Sequence, residues 1–247
     1  MIVRQFLHRD PVAISYLIGC VGKGIGAVVD PLFPIDPYFR AAETERTPIR
    51  FVIDTHLHAD HVSAGRALAE AAGAAYVLHE SAQTEFAFQP VRDGEAIQLG
   101  NVALSVLHTP GHTPEHLSLL VTDRTRAPEP WFLVSGHTLM IGDVGRTELA
   151  SDAASGAKTL FGSLARLKAL PDYLEILPGA FAGSVCGRGL SGKPSSTIGF
   201  ERRFNEAFAM ADENSFVAFM LANIPPPPAD AAAIRASNAG RALIKAA

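Results

Sequence analysis

The sequence predicts an α+β fold in which two β-sheets pack together and are covered by helices. Short apolar runs typical of strands alternate with segments whose apolar residues recur at helical spacing. Metal-binding residue types follow the ends of predicted strands, which predicts a metal cleft along one edge of the sheets. With 247 residues, 48% hydrophobic and 19% charged, the chain is long and apolar enough for a single globular domain with a sizeable core.

Charge, apolar runs and cysteine content exclude several classes of protein. A formal net charge of −4 gives no sign of the basic surface with which proteins bind nucleic acid. No apolar run approaches the roughly 18 residues of a membrane span, and the first residues lack the apolar region of a signal peptide. Cys20 and Cys186 do not make a disulfide framework, so we expect buried structural thiols, with a reactive thiol as the alternative. A cytoplasmic protein that binds neither membrane nor nucleic acid is the expectation.

The first half of the chain predicts a series of short strands with two helices between them. The turn at residues 22–26 is rich in glycine and predicts a hairpin. It lacks the Lys-Ser/Thr ending of a phosphate loop and joins strands, so it does not predict a nucleotide site. The predicted strands are 2–7, 14–19, 26–29, 51–54, 75–79, 96–99, 102–108 and 117–122, and the predicted helices are 37–44 and 61–72.

The second half predicts fewer strands and ends in a region of different composition. Leucines at helical spacing predict a helix over 159–170. Four consecutive prolines, residues 225–228, predict a stiff extended segment. We therefore divide the chain into a metal-binding domain, residues 1–224, and a proline-rich joint with a C-terminal tail, residues 225–247. Other predicted elements are strands at 131–137 and 173–177, a loop at 183–199, a helix at 200–211, and a short helix or loose tail at 230–246.

The densest group of metal-binding residue types lies at residues 55–61, directly after an apolar strand. Alternate side chains of a strand share a face, so His56 and His58 can point into the same cleft. Asp60 and His61 lie past the bend and can bind a neighbouring point or orient the first pair. The alternative is a polar loop with solvated histidines, which is disfavoured because similar segments follow later strands.

Two of those later segments each supply one candidate ligand. A Pro-Gly turn precedes His112, and an apolar strand ending in glycine precedes His137. His79 stands alone and is expected to be structural. Arg146 follows in a loop and can bind an anionic group in a bidentate manner, or it can be a structural surface arginine.

Residues 55–61, 108–113 and 136–147 together resemble the metallo-β-lactamase superfamily, and within it the persulfide dioxygenase (sulfur dioxygenase) branch. Residues 183–187 and 195–201 are similar to members whose metallo-domain is fused to a rhodanese domain, near a proline-rich joint like residues 225–228. The resemblance implies an αββα sandwich. It also implies that this chain corresponds to the metallo-domain, with a separate rhodanese-type protein as an expected partner.

The resemblance implies one Fe²⁺ ion, held in the family by two histidines and an aspartate. The matching positions are His56, His112 and His137, so the third ligand departs from the family's aspartate. Ala180 stands where binuclear hydrolases of the superfamily have a further histidine. We expect one ion per chain, because the two remaining candidates, Asp60 and His61, are too few ligands to hold a second ion. Zn²⁺ is the alternative to iron, and His58 is a further candidate ligand.

The resemblance implies an oxidoreductase of sulfur metabolism that converts a glutathione-type persulfide and O₂ into sulfite and thiol. Asp60 and His61 would orient ligands and water as catalytic residues, and Arg146 would steer a carboxylate of the thiol carrier. One alternative is a zinc-dependent hydrolase of a thioester, lactone or β-lactam, with Asp60 as general base. Another is a catalytically degenerate binding scaffold. The sequence leaves the oligomeric state open, including a homodimer.

Overall fold

Two packed β-sheets form the centre of the molecule. The computed structural model describes residues 1–222, 224, 226–228 and 230–241, and within them each sheet has six strands. In the first sheet the N-terminal three strands are antiparallel and the following ones run parallel to each other. Its strands, in spatial order, are β1 (Ile2–Arg9), β2 (Val12–Cys20), β3 (Ile25–Val29), β4 (Ile49–Ile53), β5 (Ala75–His79) and β6 (Gln89–Val91).

The second sheet is antiparallel except for one central pair. In chain order its strands are β7 (Ala96–Leu99), β8 (Val102–His108), β9 (Leu117–Asp123), β10 (Phe132–Gly136), β11 (Glu175–Pro178) and β12 (Ser196–Thr197). Consecutive strands pair throughout, and β10 and β11 are the parallel pair. Because the connection between parallel strands must cross the sheet, a helix lies between these two in the sequence.

Side-chain alternation along the strands creates a core between the sheets and a second apolar face on the outside of each. In β2, Tyr16 and Ile18 pack between the sheets, whereas Leu17 faces the helices. In β9, Leu119 lies between the sheets and Leu120 faces outwards. Both faces of each strand are therefore buried, which explains the nearly continuous apolar runs in the sequence.

Helices cover both outer faces, so the layers follow the order αββα. On the first sheet α1 (Asp36–Thr44) and α2 (Gly65–Ala72) bury their apolar faces. The second sheet is covered by α3 (Ala153–Lys168), α4 (Ile198–Phe204), α5 (Glu206–Ala209) and α6 (Glu213–Ala222). Helix α7 (Ala231–Asn238) follows the prolines and is the last one among the described residues. None of the helices among the described residues combines the length and apolar character that crossing a bilayer requires.

The predicted αββα fold is confirmed, and the differences from the sequence prediction lie at element ends and in three elements that were not predicted. Helix α2 starts at Gly65 rather than at residue 61, because residues 61–64 still belong to the loop that carries His56 and His58. The helix predicted at 200–211 is two short helices, since the Asn205 side chain accepts a hydrogen bond from Phe208 N and starts a new helix. Elements β6, β12 and α6 were not predicted. The predicted end of the tail, residues 242–246, lies outside the described residues.

Backbone hydrogen bonds between and within the sheets bring the ligand-bearing segments together. Leu117 N–H donates to Thr55 O (2.8 Å), which joins the start of β9 to the loop after β4. Gly179 N–H donates to Gly136 O (2.8 Å), which joins the ends of β10 and β11. Loops after separate strands thus meet at one edge of the sandwich, where the sequence predicted the cleft.

Candidate metal centre

Three buried histidines from three separate segments converge at this edge. His56 follows β4, His112 lies in the loop between β8 and β9, and His137 follows β10. One ring nitrogen of each lies within 4.8 Å of those of the other two. The ring centroids are 4.8 to 5.1 Å apart, and no ring is more than 2% exposed. The sequence-predicted trio therefore forms one cluster.

Hydrogen bonds at the second ring nitrogen fix the orientation of two of these rings. His112 Nδ1 donates to Arg146 O at 2.7 Å, which leaves Nε2 facing the cluster. Thr55 Oγ1 lies 2.9 Å from His56 Nδ1, and His56 Nε2 is buried without a hydrogen-bond partner among the described residues. A partner on the outer nitrogen is the usual way in which proteins orient a metal-binding imidazole.

His137 is positioned by its backbone and by two neighbouring glycines. Its N–H donates to His116 Nε2 at 3.0 Å. Gly136 has φ +52°, and a Cβ there would lie 2.5 Å from His116 Nε2, so glycine is required. Gly145 packs on the other side, where a Cβ would lie 2.3 Å from His137 O. The third ring is therefore held by close packing that larger residues would disrupt.

His116 is a buried residue of the site that sequence reasoning missed. Its Nδ1 lies 3.0 Å from Thr109 Oγ1 and 2.9 Å from Thr138 Oγ1, and its Nε2 supports the backbone of His137. The available signal was its position four residues after His112, at the start of an apolar strand. His116 thus connects the loops that carry the second and third ligand candidates.

The three clustered histidines are neutral at neutral pH. Burial, followed by the neighbouring histidines, lowers the pKa of His56 well below its ordinary value. Burial also lowers the pKa of His112 to about 3 and that of His137 to about 4. Neutral imidazoles carry the lone pairs that a metal ion needs.

The donor set fits a divalent transition-metal ion. His56 Nε2 and His137 Nε2 are buried without a hydrogen-bond partner in the described residues, and an unpaired buried nitrogen costs free energy that a metal ion would offset. Three imidazoles are a ligand set suited to iron, zinc, copper or nickel. Three protein ligands also leave a position open, as in catalytic rather than structural sites.

His58, Asp60 and His61 form an adjacent cluster, with one ligand-type atom each within 4.8 Å. His58 Nε2 lies 3.2 Å from Asp30 Oδ1, and its Nδ1 lies 3.6 Å from Asp60 Oδ1. Burial opposes a charge on His58, but the carboxylates of Asp30 and Asp60 outweigh it and raise the His58 pKa well above its ordinary value. A charged His58 between two carboxylates serves as an orienting group, and the structure groups it with Asp60 and His61 rather than with the trio.

Asp60 is ionised at neutral pH. Burial alone would raise its pKa, but the attraction of His61 and hydrogen bonding to His58 and His61 hold the pKa of Asp60 well below its usual range. Asp60 Oδ1 lies 3.1 Å from His61 Nδ1. This pair therefore offers a carboxylate and an imidazole beside the three-histidine cluster.

Arg146 is buried rather than on the surface, with 4% of it exposed. Its guanidinium forms an ion pair with Glu148 and donates to Val185 O at 3.0 Å. Its carbonyl oxygen orients His112. The structure therefore gives Arg146 a positioning role, and substrate binding by its side chain stays a prediction.

Helix α7 packs on the loop that carries His56, His58 and His61. Asn238 Nδ2 donates to His58 O (2.9 Å) and His61 O (2.8 Å). Arg235 Nη1 donates to Leu57 O, and its Nη2 lies 3.1 Å from Glu115 Oε2. Helix α7, which follows the proline segment, is therefore part of the structure around the site. Sequence reasoning left this segment as a short helix or a loose tail.

Replacing Arg235 with alanine should destabilise the protein by about 1–3 kcal/mol, because Glu115 would remain buried without its cation. Arg241 provides the matched control, since its ion pair with Glu85 is exposed and 3.8 Å long. Arg241→Ala should change stability by no more than about 0.5 kcal/mol. Denaturant unfolding of the two variants measures this difference, and equal effects would contradict the role assigned to α7.

The metal-free protein should lose stability as the pH falls from 6.5 towards 4. The pKa values of His112 and His137, about 3 and about 4 in the folded chain, lie below the ordinary 6.5, so the unfolded chain takes up protons first in this range. His58 and Asp54, whose pKa values are raised in the folded chain, bind protons there before they do in the unfolded chain and so oppose part of the loss. Thermal unfolding at several pH values checks this, and a midpoint that rises on acidification would contradict it.

His79 and His108 lie outside the site, and both cysteines are buried. His79 stacks on His108 with centroids 3.8 Å apart and bonds to Ser81 Oγ, away from the cluster. Cys20 and Cys186 are free and buried. Burial, followed by the charge of Asp60, raises the pKa of the Cys186 thiol well above its ordinary value.

Comparison with known proteins places this chain in a family. The profile of the metallo-beta-lactamase superfamily matches residues 12–179. The crystal structure of a metallo-beta-lactamase from Staphylococcus aureus is similar with a TM-score of 0.91 and 35% identity, over 96% of this chain and 72% of that one. ETHE1 from Myxococcus xanthus is similar with a TM-score of 0.83 and 29% identity, over 98% of this chain and 100% of that one.

Curated relatives include both a dioxygenase and hydrolases. The mitochondrial persulfide dioxygenase ETHE1 of Homo sapiens is 25% identical over 234 residues, which are 92% of this chain and 84% of that protein. A hydroxyacylglutathione hydrolase of Rhodospirillum rubrum is 28% identical over 158 residues, 63% of this chain and 57% of that protein. With a family profile that matches most of its length, this chain belongs to the metallo-beta-lactamase superfamily.

Proposed function

We propose that this protein is a mononuclear non-haem iron persulfide dioxygenase, which converts a glutathione-type persulfide, O₂ and a molecule of water into sulfite and the free thiol. The observation that supports it best is the cluster of three neutral, buried imidazoles with unpaired ring nitrogens. Persulfide dioxygenase relatives cover this chain almost from end to end, whereas the hydroxyacylglutathione hydrolase covers less than two thirds of it. The coverage of the relatives favours oxygen chemistry, and the histidine cluster offers a site for the iron that this chemistry needs.

His56, His112 and His137 would hold the ion. Iron(II) would supply open positions for the persulfide sulfur and O₂, together with the electrons that activate O₂. Three neutral ligands leave one more unit of positive charge at the site than two histidines and an aspartate would. This extra charge favours an anionic substrate such as a persulfide.

The surrounding residues keep the imidazoles in the protonation state and orientation that this chemistry needs. Arg146 O holds the proton of His112 on Nδ1, and Thr55 Oγ1 contacts His56 Nδ1, so the opposite nitrogens face the cluster. Asp60 remains ionised and can accept a hydrogen bond from water or from His61. The burial of all three rings excludes bulk water from the reacting atoms.

Ala180 limits the number of ligands available for a second ion. It is fully buried just after β11. Binuclear hydrolases of the superfamily have a histidine at the matching position, whereas alanine offers only a methyl group. Asp60 and His61 therefore gain no ligand from this strand. The proposal for the dioxygenase needs only the three-histidine ion.

Anaerobic reconstitution with Fe²⁺, followed by measurement of O₂ uptake and sulfite, tests this proposal. Glutathione persulfide should give O₂ uptake that depends on iron, with sulfite as product. Glutathione alone should give none. A protein that binds iron but shows no persulfide-dependent O₂ uptake would overturn the proposal.

A zinc-dependent hydrolase is the second candidate, and the hydrolase relatives favour it. The same three histidines would bind Zn²⁺, and Asp60 would act as the general base towards a thioester, lactone or β-lactam. The zinc-loaded protein should then hydrolyse S-lactoylglutathione or a chromogenic cephalosporin. If neither the iron nor the zinc form is retained on purification, a degenerate scaffold replaces both enzymatic proposals.

A further inference from the structure

A cavity beside the edge strand β12 lies apart from the histidine cluster. Its volume is about 600 Å³, within the usual range for sites that bind small molecules. Residues of β11, β12, α4 and the loop after β10 line it, and the described lining residues include no histidine. The cavity is therefore separate from the residues that would hold the ion of the proposed dioxygenase.

Four aromatic side chains form the outer rim of this cavity. Each of them is between 52% and 65% exposed, although each has a large apolar surface. Aromatic side chains exposed side by side mark a binding surface, and the faces of their rings attract cations. Two of them lie one helical turn apart in α4, with ring centroids 4.9 Å apart. The rim residues are Trp131, Tyr173, Phe200 and Phe204.

The inner wall of the cavity contains a carboxylate with one unsatisfied oxygen. Glu201 is the most buried of the lining residues, with 1% of it exposed. Its Oε2 accepts hydrogen bonds from Gly142 N–H (2.8 Å) and from Asn205 Nδ2 (3.0 Å). Its Oε1 is buried without a hydrogen-bond partner among the described residues. Because an unpaired buried oxygen costs free energy, Oε1 points to a ligand that carries a hydrogen-bond donor.

The charges around the cavity favour a cationic ligand. Among the described lining residues the charged ones are Glu175, Glu201 and Lys193, so carboxylates outnumber cations. Lys193 Nζ already donates a hydrogen bond to Ser195 O at 2.6 Å. Folding has taken Glu201 out of water, so a bound cation gains its attraction without that part of the desolvation cost. An anionic ligand would instead meet two carboxylates.

We propose that this cavity binds a small organic ammonium ion with an aromatic body. The ammonium group donates a hydrogen bond to Glu201 Oε1, and the aromatic body packs against the rings of the rim. Binding forms no covalent bond and needs no metal ion. The site goes beyond the proposed dioxygenase activity, and it stands or falls independently of that activity.

Sequence reasoning missed this site because its features come from separate segments. Trp131 precedes β10, Tyr173 precedes β11, and Glu201 lies in a predicted helix with no pattern that marks it as a ligand group. The packing of α4 against the loop after β10, through Gly142 and Asn205, buries the carboxylate. This contact depends on tertiary structure.

Titration of the full-length chain with 2-phenylethylamine at neutral pH tests the proposal. Trp131 is the single tryptophan of the chain, so its fluorescence reports binding at the rim directly. We expect a saturable change in emission, with half-saturation below about 1 mM. The neutral 2-phenylethanol and the anionic 3-phenylpropionate, which have a similar size, should bind at least about 10-fold more weakly, because neither forms a charged hydrogen bond to Glu201.

Glu201→Gln tests the role of the buried carboxylate. It keeps an oxygen for the bonds from Gly142 and Asn205 but removes the charge, so the affinity for 2-phenylethylamine should fall by about 10-fold or more. Glu206→Gln is the matched control, because Glu206 is exposed on α5 and does not line the cavity, and it should bind as the wild type. Phe204→Ala alters an exposed rim residue, and it should weaken binding by about 2- to 5-fold.

Three results would overturn the proposal. One is an emission change that stays linear up to about 10 mM, which indicates collisional quenching. Another is equal binding of the cationic and anionic probes. The third is an equal affinity in Glu201→Gln and Glu206→Gln. The comparison of the three probes on the wild type, together with Phe204→Ala, decides the question even if Glu201→Gln does not fold.

Discussion

Replacing His112 with alanine should abolish retention of the metal ion and lower persulfide-dependent O₂ uptake by more than about 100-fold. Loss of residues that only orient metal ligands typically costs about 10- to 100-fold, and His112 is itself a candidate ligand. The remaining His56 and His137 would be two ligands, which rarely hold a divalent ion against water. Iron content after desalting, together with O₂ uptake, measures both effects.

His108 provides the matched control for this variant. It is the last residue of β8, four residues before His112, and its ring stacks on His79 rather than facing the cluster. His108→Ala should therefore retain iron and activity close to the wild type. Comparable iron loss in both variants would show that disturbance of the loop, and not removal of a ligand, explains the effect.

Replacing Gly145 with alanine should destabilise the protein by about 3 kcal/mol and weaken metal binding. The added methyl group would lie 2.3 Å from His137 O and 2.9 Å from His112 Nδ1, so two of the three candidate ligands must move. Backbone atoms cannot rotate away as a flexible side chain can. Denaturant unfolding and iron content after desalting measure the two consequences.

Gly162 offers a control with the same chemical change. It lies within α3, and a Cβ there would meet nothing within 4 Å. Gly162→Ala should leave iron content unchanged and stabilise the protein by about 0.5–1 kcal/mol, because alanine favours a helix over glycine. If Gly145→Ala behaved in the same way, the close packing around His137 would not control the site.

The fold could be predicted from the sequence because its strands are short apolar runs with clear ends. The predicted strands 75–79 and 102–108 coincide with β5 and β8, because turn residues flank each apolar run and mark where the strand begins and ends. Element α6 was missed because its apolar residues are not confined to one face. Strand β12 has only two residues, and its pairing with β11 depends on tertiary contacts.

The candidate site was predictable only as far as local patterns reach. The placement of His56, His112 and His137 after strand ends was enough to expect that they meet, since the two sheets share one edge there. The roles of His116 and Glu115 depend on contacts between distant segments, which no local pattern encodes. Arg146 illustrates the same limit, because its side chain turns inwards to Glu148 and Val185.

The account depends on His56, His112 and His137 converging on one ion. The most direct measurement is a crystal structure of the iron-loaded protein with anomalous scattering recorded at the iron absorption edge. We expect an anomalous peak within bonding distance of one ring nitrogen of each of these histidines. A peak bound elsewhere, or a His137 ring turned away from it, would contradict the proposed centre.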